Sequence, residues 1–136
     1  MTDKKNILVV EDEKDMASLL KMRLTNLGYE VMIGYDGQEG LSLAQRYNPA
    51  LIVLDLMLPK LNGHKVCRML KFDDKYKNIP IIIYSARTQL IDKELADECG
   101  ADAYIPKTLG QEVLVDKIKK LLGVREVNQN VESNSR

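Results

Sequence analysis

Five short, largely apolar runs divide the chain, and each run predicts a β-strand. The first and third runs contain only aliphatic residues, several of them β-branched. Such unbroken runs are typical of strands that are buried on both faces of a parallel sheet. The five predicted strands are residues 7–10, 30–33, 51–54, 81–84 and 101–105.

Between these strands, apolar residues recur at the three- and four-residue spacing of an amphipathic helix. The first predicted helix covers residues 14–27, and Gly28 is placed to end it. Its expected inward stripe is Met16, Leu19, Leu20, Leu24 and Leu27. The other predicted helices are residues 38–47, residues 63–72, one marked by Leu90, Ile91, Leu95 and Cys99, and one marked by Leu114, Ile118, Leu121 and Leu122.

Strand and helix alternate five times, which predicts an α/β domain whose parallel sheet is covered by helices on both faces. Right-handed crossovers leave few topologies, and we expect a doubly wound, flavodoxin-like sheet with strand order 2-1-3-4-5. In that order, ligands bind outside the carboxyl ends of the first and third strands. The domain is expected to span residues 1–123, and the polar, aperiodic residues 124–136 are expected to form a disordered tail.

The overall charge is balanced, with twenty Lys and Arg against twenty Asp and Glu. A neutral chain has no general field to hold nucleic acid, so we expect no direct nucleic-acid binding. No apolar run approaches the length of a membrane span, and the first residues lack a signal-peptide core, so the predicted location is cytoplasmic. In that compartment Cys67 and Cys99 are expected to be reduced, buried thiols rather than a disulfide or a metal pair.

Carboxylates follow two of the predicted strands. Glu11 and Asp12 come directly after the first strand, and Asp55 comes directly after the third. The predicted topology brings these three acids to one edge of the sheet, where neighbouring carboxylates need a shared positive charge. Since the cluster offers oxygen ligands and no His or Cys, it predicts a Mg²⁺ site.

Ser85 and Lys107 end the fourth and fifth strands at the same predicted edge. A metal ion, an ammonium and a hydroxyl around one carboxylate form a receptor for a tetrahedral dianion. Asp55 is then placed to attack phosphorus in line, with an aspartyl phosphate as the product.

This constellation resembles the receiver domain of two-component response regulators, and the resemblance extends from Lys5 to about Gly123. The residues that match the family's motifs are Glu11, Asp12, Asp55 with the following Pro59 and Gly63, Ser85 with Ala86, Tyr104 and Lys107. The resemblance implies a phosphorelay protein that is not an enzyme for other substrates. Asp55 would take a phosphoryl group from a phosphohistidine on a sensor histidine kinase or phosphotransfer protein.

The resemblance also implies the ligands of the metal ion. Asp12, Asp55 and the main-chain carbonyl of Met57 would hold Mg²⁺ directly, and Glu11 would act mostly through water. On phosphorylation, Ser85 would move toward a phosphoryl oxygen and Tyr104 would turn inward. This would alter a protein-binding face built from the fourth helix, fifth strand and fifth helix, which is also a possible homodimer surface.

Two features depart from the family's pattern. Thr108 follows Lys107 where many receivers have proline and a cis peptide bond, so we expect a trans or strained bond there. Met57 and Arg87 lie two residues beyond Asp55 and Ser85, at positions that in receivers border the path of the water that hydrolyses the phosphoryl group. We hypothesise that both side chains obstruct this water and lengthen the phosphorylated lifetime.

Simpler interpretations stay open for individual residues. Glu11 and Asp12 could cap the following helix, Ser85 could be a helix N-cap, and His64 is expected to be solvated.

Two other functions also remain as alternatives. A phosphohydrolase of the haloacid dehalogenase type uses a similar site, but it needs a second acid where this chain has Met57. A receiver-like binding module that works without phosphorylation is the other alternative.

Overall fold

The computed structural model describes residues 4–86, 94 and 97–123, and its centre is a five-stranded parallel sheet. The strands are β1 (Asn6–Val10), β2 (Glu30–Gly34), β3 (Leu51–Leu54), β4 (Ile81–Ser85) and β5 (Ala103–Pro106). All four neighbouring pairs are parallel, and the order is β2-β1-β3-β4-β5. The predicted fold class and strand order are therefore confirmed.

The described helices are α1 (Lys14–Asn26), α2 (Gly37–Tyr47), α3 (Gly63–Lys71) and a last helix at Gln111–Leu121. A short 3-10 helix, Lys107–Leu109, joins β5 to the last helix. Leu90, Ile91 and Leu95, which define the predicted fourth helix, lie outside the described residues, as does the predicted tail at 124–136. Among the described helices, none is both long and apolar enough to cross a membrane.

Alternate residues of the strands belong to two hydrophobic clusters, one on each face of the sheet. Leu8 and Val10 of β1 point to the face covered by α2 and α3. Ile7 and Val9 point to the other face, where they meet side chains of α1 and the last helix. Because β1 and β3 are buried on both sides, their sequences can be entirely apolar, as the pattern predicted.

The inward stripe of α1 is narrower than predicted. Ala17, Leu20 and Leu24 are buried, whereas Leu19 is 56% exposed and Leu27 is 44% exposed. Residues adjacent in a helix point about 100° apart, so Leu19 and Leu20 cannot both face the sheet. The prediction that Leu19 and Leu27 belong to the core is wrong.

Candidate functional site

Three carboxylates meet where β1 and β3 end. Val10 pairs with Leu54 in the sheet, and the Asp55 amide donates a hydrogen bond to the Val10 carbonyl at 3.1 Å. One carboxylate oxygen from each of Glu11, Asp12 and Asp55 lies within 4.8 Å of the others. The predicted acidic cluster is therefore assembled, with Glu11 and Asp55 buried and Asp12 exposed.

Lys107 brings a positive charge to this cluster from the far side of β4. Its Nζ lies 2.6 Å from Glu11 Oε1 and 3.1 Å from Asp55 Oδ2. The lysine side chain is mostly buried, so solvent screens these ion pairs only weakly. The peptide bonds of the described residues are all trans, including the bond between Lys107 and Thr108.

Tyr84 was missed by the sequence reasoning. Its ring lies under the Lys107 ammonium, with 5.8 Å between Nζ and the ring centroid, a cation–π geometry. The ring is buried at the end of β4, next to Ser85. An aromatic residue at the end of a strand that leads to the site was the available signal, but aromatic residues in a core strand are too common to single it out.

The charges at the site influence one another. Burial raises the pKa of the Glu11 carboxyl, although hydrogen bonds from Lys107 and the Glu13 amide act in the opposite direction. Burial lowers the pKa of Lys107, but the hydrogen bond to Glu11 and the charge of Asp55 outweigh it and raise that pKa. The cluster contains three carboxylates, and Lys107 pairs with two of them. The single ammonium therefore leaves negative charge that a further cation could neutralise.

Both oxygens of the Asp55 carboxylate have partners. Oδ1 accepts the Met57 amide hydrogen at 3.1 Å, and Oδ2 faces Lys107. Gly63 is required beneath this turn, because a β-carbon there would lie 1.9 Å from the Asp55 carbonyl oxygen. The Gly63 amide also donates to the Leu56 carbonyl at 3.0 Å, so the start of α3 holds the turn that presents Asp55.

The loop after Asp55 also rests on α2. A β-carbon at Gly37 would lie 1.5 Å from the Leu61 carbonyl oxygen, and the Gly37 amide donates to Pro59 at 3.2 Å. Lys60 has a φ of 68°, an uncommon value for a residue with a side chain, and pairs with Asp36 at 3.5 Å. The first turn of α2 thus braces the loop that carries Met57.

Ser85 and Tyr104 lie on the strands next to the acids. Ser85 is the last residue of β4 and is fully buried, and it pairs with Pro106 in β5. Tyr104 is half-buried and packs against the cluster on the α2 and α3 face of the sheet. The sheet therefore brings Ser85 and Lys107 to the edge that carries Asp55.

The simpler interpretations of Glu11, Ser85 and His64 can be compared with the structure. Glu11 Oε2 accepts the amide hydrogen of Glu13, the N-cap residue of α1, at 3.1 Å, while Oε1 binds Lys107; its role is therefore more than capping. The helix that Ser85 would cap lies outside the described residues. The prediction of a solvated His64 is wrong for its Nε2, which is buried and has no hydrogen-bond partner among the described residues.

The chemistry of the donor set suits a hard divalent cation. Carboxylate oxygens are the ligands that Mg²⁺ prefers, and the cluster contains neither imidazole nor thiolate. Asp12 is exposed, which gives an ion and its remaining water ligands a route from solvent.

A comparison with family models matches residues 7–119 to the response regulator receiver domain. The chain belongs to this family. It is 43% identical over 117 residues to the response regulator ArlR of Staphylococcus haemolyticus, covering 86% of this chain and 52% of that protein. It is 42% identical over 120 residues to the probable transcriptional regulator ycf27 of Cyanophora paradoxa, covering 88% of this chain and 49% of that protein. The chain spans about half the length of the curated relatives it matches.

Solved receiver structures show the same fold over nearly their whole length. A CheY-like receiver domain protein from Methanospirillum hungatei superimposes with a TM-score of 0.83 at 28% identity, covering 93% of this chain and 99% of that one. The receiver domain of a signal transduction histidine kinase from Syntrophus aciditrophicus gives a TM-score of 0.82 at 32% identity, covering 97% and 98%. The receiver function inferred from the sequence is therefore confirmed at the level of the family.

Proposed function

We propose that Asp55 is the phosphoacceptor of this receiver and that Lys107 and Ser85 assist the transfer. The observation that carries the proposal is the contact of Lys107 Nζ with Asp55 Oδ2 at 3.1 Å, inside a cluster of three acids. The donor would be a phosphohistidine on a sensor histidine kinase or a phosphotransfer protein.

We propose further that Asp12, Asp55 and the main-chain carbonyl of Met57 hold Mg²⁺, with Glu11 acting through water. Bound at these ligands, Mg²⁺ would supply positive charge for the phosphoryl oxygens. Asp12 is exposed and lies beside Asp55. It can therefore bind an ion that arrives from solvent. Glu11 is already engaged by Lys107 and the Glu13 amide, which favours its indirect role.

In the transfer, one Oδ of Asp55 forms a bond to phosphorus as the bond from phosphorus to the donor nitrogen breaks. The electron pair of that bond stays on the imidazole, so the reaction needs no external reductant or oxidant. Lys107 neutralises charge on the phosphoryl oxygens, and the Ser85 hydroxyl donates a hydrogen bond to one of them. The Met57 amide holds Asp55 Oδ1, which fixes the carboxylate for in-line attack.

The signal would leave the site through Ser85 and Tyr104. Tyr104 lines a surface groove of about 510 Å³ between β5 and the last helix, together with Leu109 and Val113. Leu109 is 57% exposed, and a partly apolar groove next to a half-buried tyrosine is a surface that rotation of the ring would reshape. We propose this face, with the predicted fourth helix, as the partner-binding or homodimer surface.

The same proposal covers where the domain works, what it catalyses and what it binds. The domain at residues 1–123 works in the cytoplasm, catalyses only its own phosphorylation and dephosphorylation, and itself binds neither nucleic acid nor membrane. The matched residues cover 49% of the probable transcriptional regulator ycf27 and 52% of the response regulator ArlR.

The test is incubation of the protein with acetyl phosphate and Mg²⁺, followed by intact mass spectrometry. We expect a gain of one phosphoryl group that is lost in Asp55→Asn and on removal of Mg²⁺ with EDTA. Asp36→Asn is the matched control, because this acid caps the start of α2 and forms its ion pair with Lys60 rather than with Lys107. Retention of the mass gain in Asp55→Asn would refute the assignment.

Two further assays, read beside the labelling experiment, separate the alternative functions. Sustained release of phosphate from p-nitrophenyl phosphate would favour a phosphohydrolase of the haloacid dehalogenase type, although Met57 cannot act as its second acid. Absence of any phosphoryl gain, with partner binding unchanged in Asp55→Asn, would favour a module that works without phosphorylation.

A further inference from the structure

Cys67 and Cys99 are two buried thiols in the interior that take no part in the site described above. Cys67 lies on the inner side of α3, and Cys99 lies just before the turn that leads into β5. They are 32 residues apart, and both are fully buried. The Cys67 thiol donates to the Cys99 carbonyl oxygen with an Sγ to oxygen distance of 3.5 Å, and the two side chains are close enough for each to shift the pKa of the other.

The backbone around the pair is already fixed by other bonds between α3 and the start of β5. Lys71, one turn after Cys67, binds the Asp102 carboxylate at 2.9 Å and the Ile79 carbonyl at 3.0 Å. The stem of Lys71 also lies against Gly100, next to Cys99. The two segments that carry the thiols are therefore held together independently of the sulfur atoms.

We propose that Cys67 and Cys99 are an oxidisable pair that forms an intramolecular disulfide when the protein meets hydrogen peroxide. The inference does not depend on phosphorylation of Asp55. Both thiols belong to the apolar cluster beneath α2 and α3, and the charges of Lys71 and Asp102 act on Cys67 from its edge.

The two thiols are chemically unequal. The hydrogen bond from Cys67 lowers the pKa of Cys99, and the same contact, followed by burial, raises the pKa of Cys67. A thiolate is the reactive form toward peroxide, so Cys99 is the sulfur that is oxidised first. It takes one oxygen from the peroxide and becomes a sulfenic acid, with release of water.

Cys67 then attacks the Cys99 sulfur, and the sulfenic oxygen leaves as a second water. In total, two thiols and one hydrogen peroxide give one disulfide and two waters, and the sulfurs lose the two electrons that the peroxide gains. The new bond would tether α3 to the residues that lead into β5. Tyr104 packs against the same cluster, so its packing environment is the one that the bond would stiffen.

The test treats the full chain with hydrogen peroxide under native conditions and measures its intact mass and its peptides without reduction. We expect the loss of two hydrogens, a Cys67–Cys99 linked peptide, and reversal by dithiothreitol. Cys67→Ala and Cys99→Ala should each abolish the loss. Hydrogen exchange should slow in α3 and in residues 101–105 of the oxidised protein.

Three results would overturn the inference. They are disulfide-linked dimers in place of the internal bond, sulfinic acid on Cys99 with Cys67 unchanged, and a bond that forms only in urea. If the alanine variants fold poorly, the linked peptide from the unmodified chain still decides the question.

Discussion

The ammonium of Lys107 lies closer to Glu11 than to Asp55, with Nζ to oxygen distances of 2.6 Å and 3.1 Å. The lysine is therefore shared between an acid at the end of β1 and the predicted phosphoacceptor at the end of β3. In the absence of a metal ion, it is the only cation in the described part of the site that neutralises these two buried carboxylates.

Removal of that ammonium should destabilise the metal-free protein. We expect Lys107→Met to lower the free energy of unfolding by roughly 3 kcal/mol in EDTA, because two buried carboxylates lose their counter-charge. Mg²⁺ should reduce the deficit, since the ion supplies positive charge to the same acids. Urea denaturation with EDTA and with Mg²⁺ measures both effects. Lys60→Met is the control, because Lys60 is 72% exposed, and an equal loss in both variants would contradict the prediction.

The side chain of Met57 should lengthen the life of the phosphorylated protein. It is 55% exposed, and its amide binds Asp55 Oδ1 at 3.1 Å, so an apolar side chain lies at the solvent side of the turn that presents the acceptor. Met57→Asn should speed dephosphorylation roughly fivefold, since one hydrogen bond to the attacking water is worth about 1 kcal/mol. Arg87, the other residue in this hypothesis, lies outside the described residues.

Loss of phosphoryl group over time, followed by intact mass, measures the effect at Met57. Met69→Asn is the matched control, because Met69 is about equally exposed but lies on α3. An unchanged rate in Met57→Asn would remove the basis for the hypothesis.

The Asp36 carboxylate should make a pH-dependent contribution to stability. It accepts the Glu39 amide hydrogen at 2.7 Å, and this bond lowers the pKa of Asp36 below its usual 3.8. Because the pKa of Asp36 is lower in the folded state, its contribution to the free energy of unfolding is present above pH 3.8. This contribution is lost as the pH falls through the folded-state pKa.

Urea denaturation of the wild type and Asp36→Ala over a pH series checks this. The difference between the two proteins should be largest near neutral pH and should shrink in acid. Asp36→Asn keeps a capping oxygen without the charge, so it should lie between them. A difference that stays constant across the series would show that the carboxylate charge has no part in it.

Gly37 should tolerate no side chain. A β-carbon at Gly37 would lie 1.5 Å from the Leu61 carbonyl oxygen and 2.5 Å from the Leu61 carbonyl carbon. Both are backbone atoms, so they cannot rotate away. We expect Gly37→Ala to cost roughly 3 kcal/mol of unfolding free energy and to disturb the loop that carries Met57. Gly123→Ala is the comparison: its φ of 65° is strained for alanine, but nothing lies within 4 Å, so the cost should be about 1 kcal/mol.

The sequence predicted those parts of the site that depend on where strands end. Apolar runs located β1 and β3, and the order of a doubly wound sheet then brought Glu11 and Asp55 together. This works because the carboxyl ends of parallel strands share one edge, whatever the side chains between them.

Features that depend on side-chain direction were harder to predict. Leu19 and Leu20 have the same chemistry, and only packing on the sheet distinguishes the exposed residue from the buried one. The contact between Cys67 and Cys99 depends on how α3 meets the segment before β5, and neither residue lies in a motif. The stacking of Lys107 on Tyr84 depends on the path of a long, flexible side chain.

Glu11 and Lys107 are 96 positions apart in the chain, although their side chains form one ion pair. A growing polypeptide that has been synthesised only as far as β4 contains all three acids but lacks Lys107. The ion pair can therefore form only after residue 107 has been synthesised, so the buried Glu11 carboxylate gains this counter-charge late in synthesis.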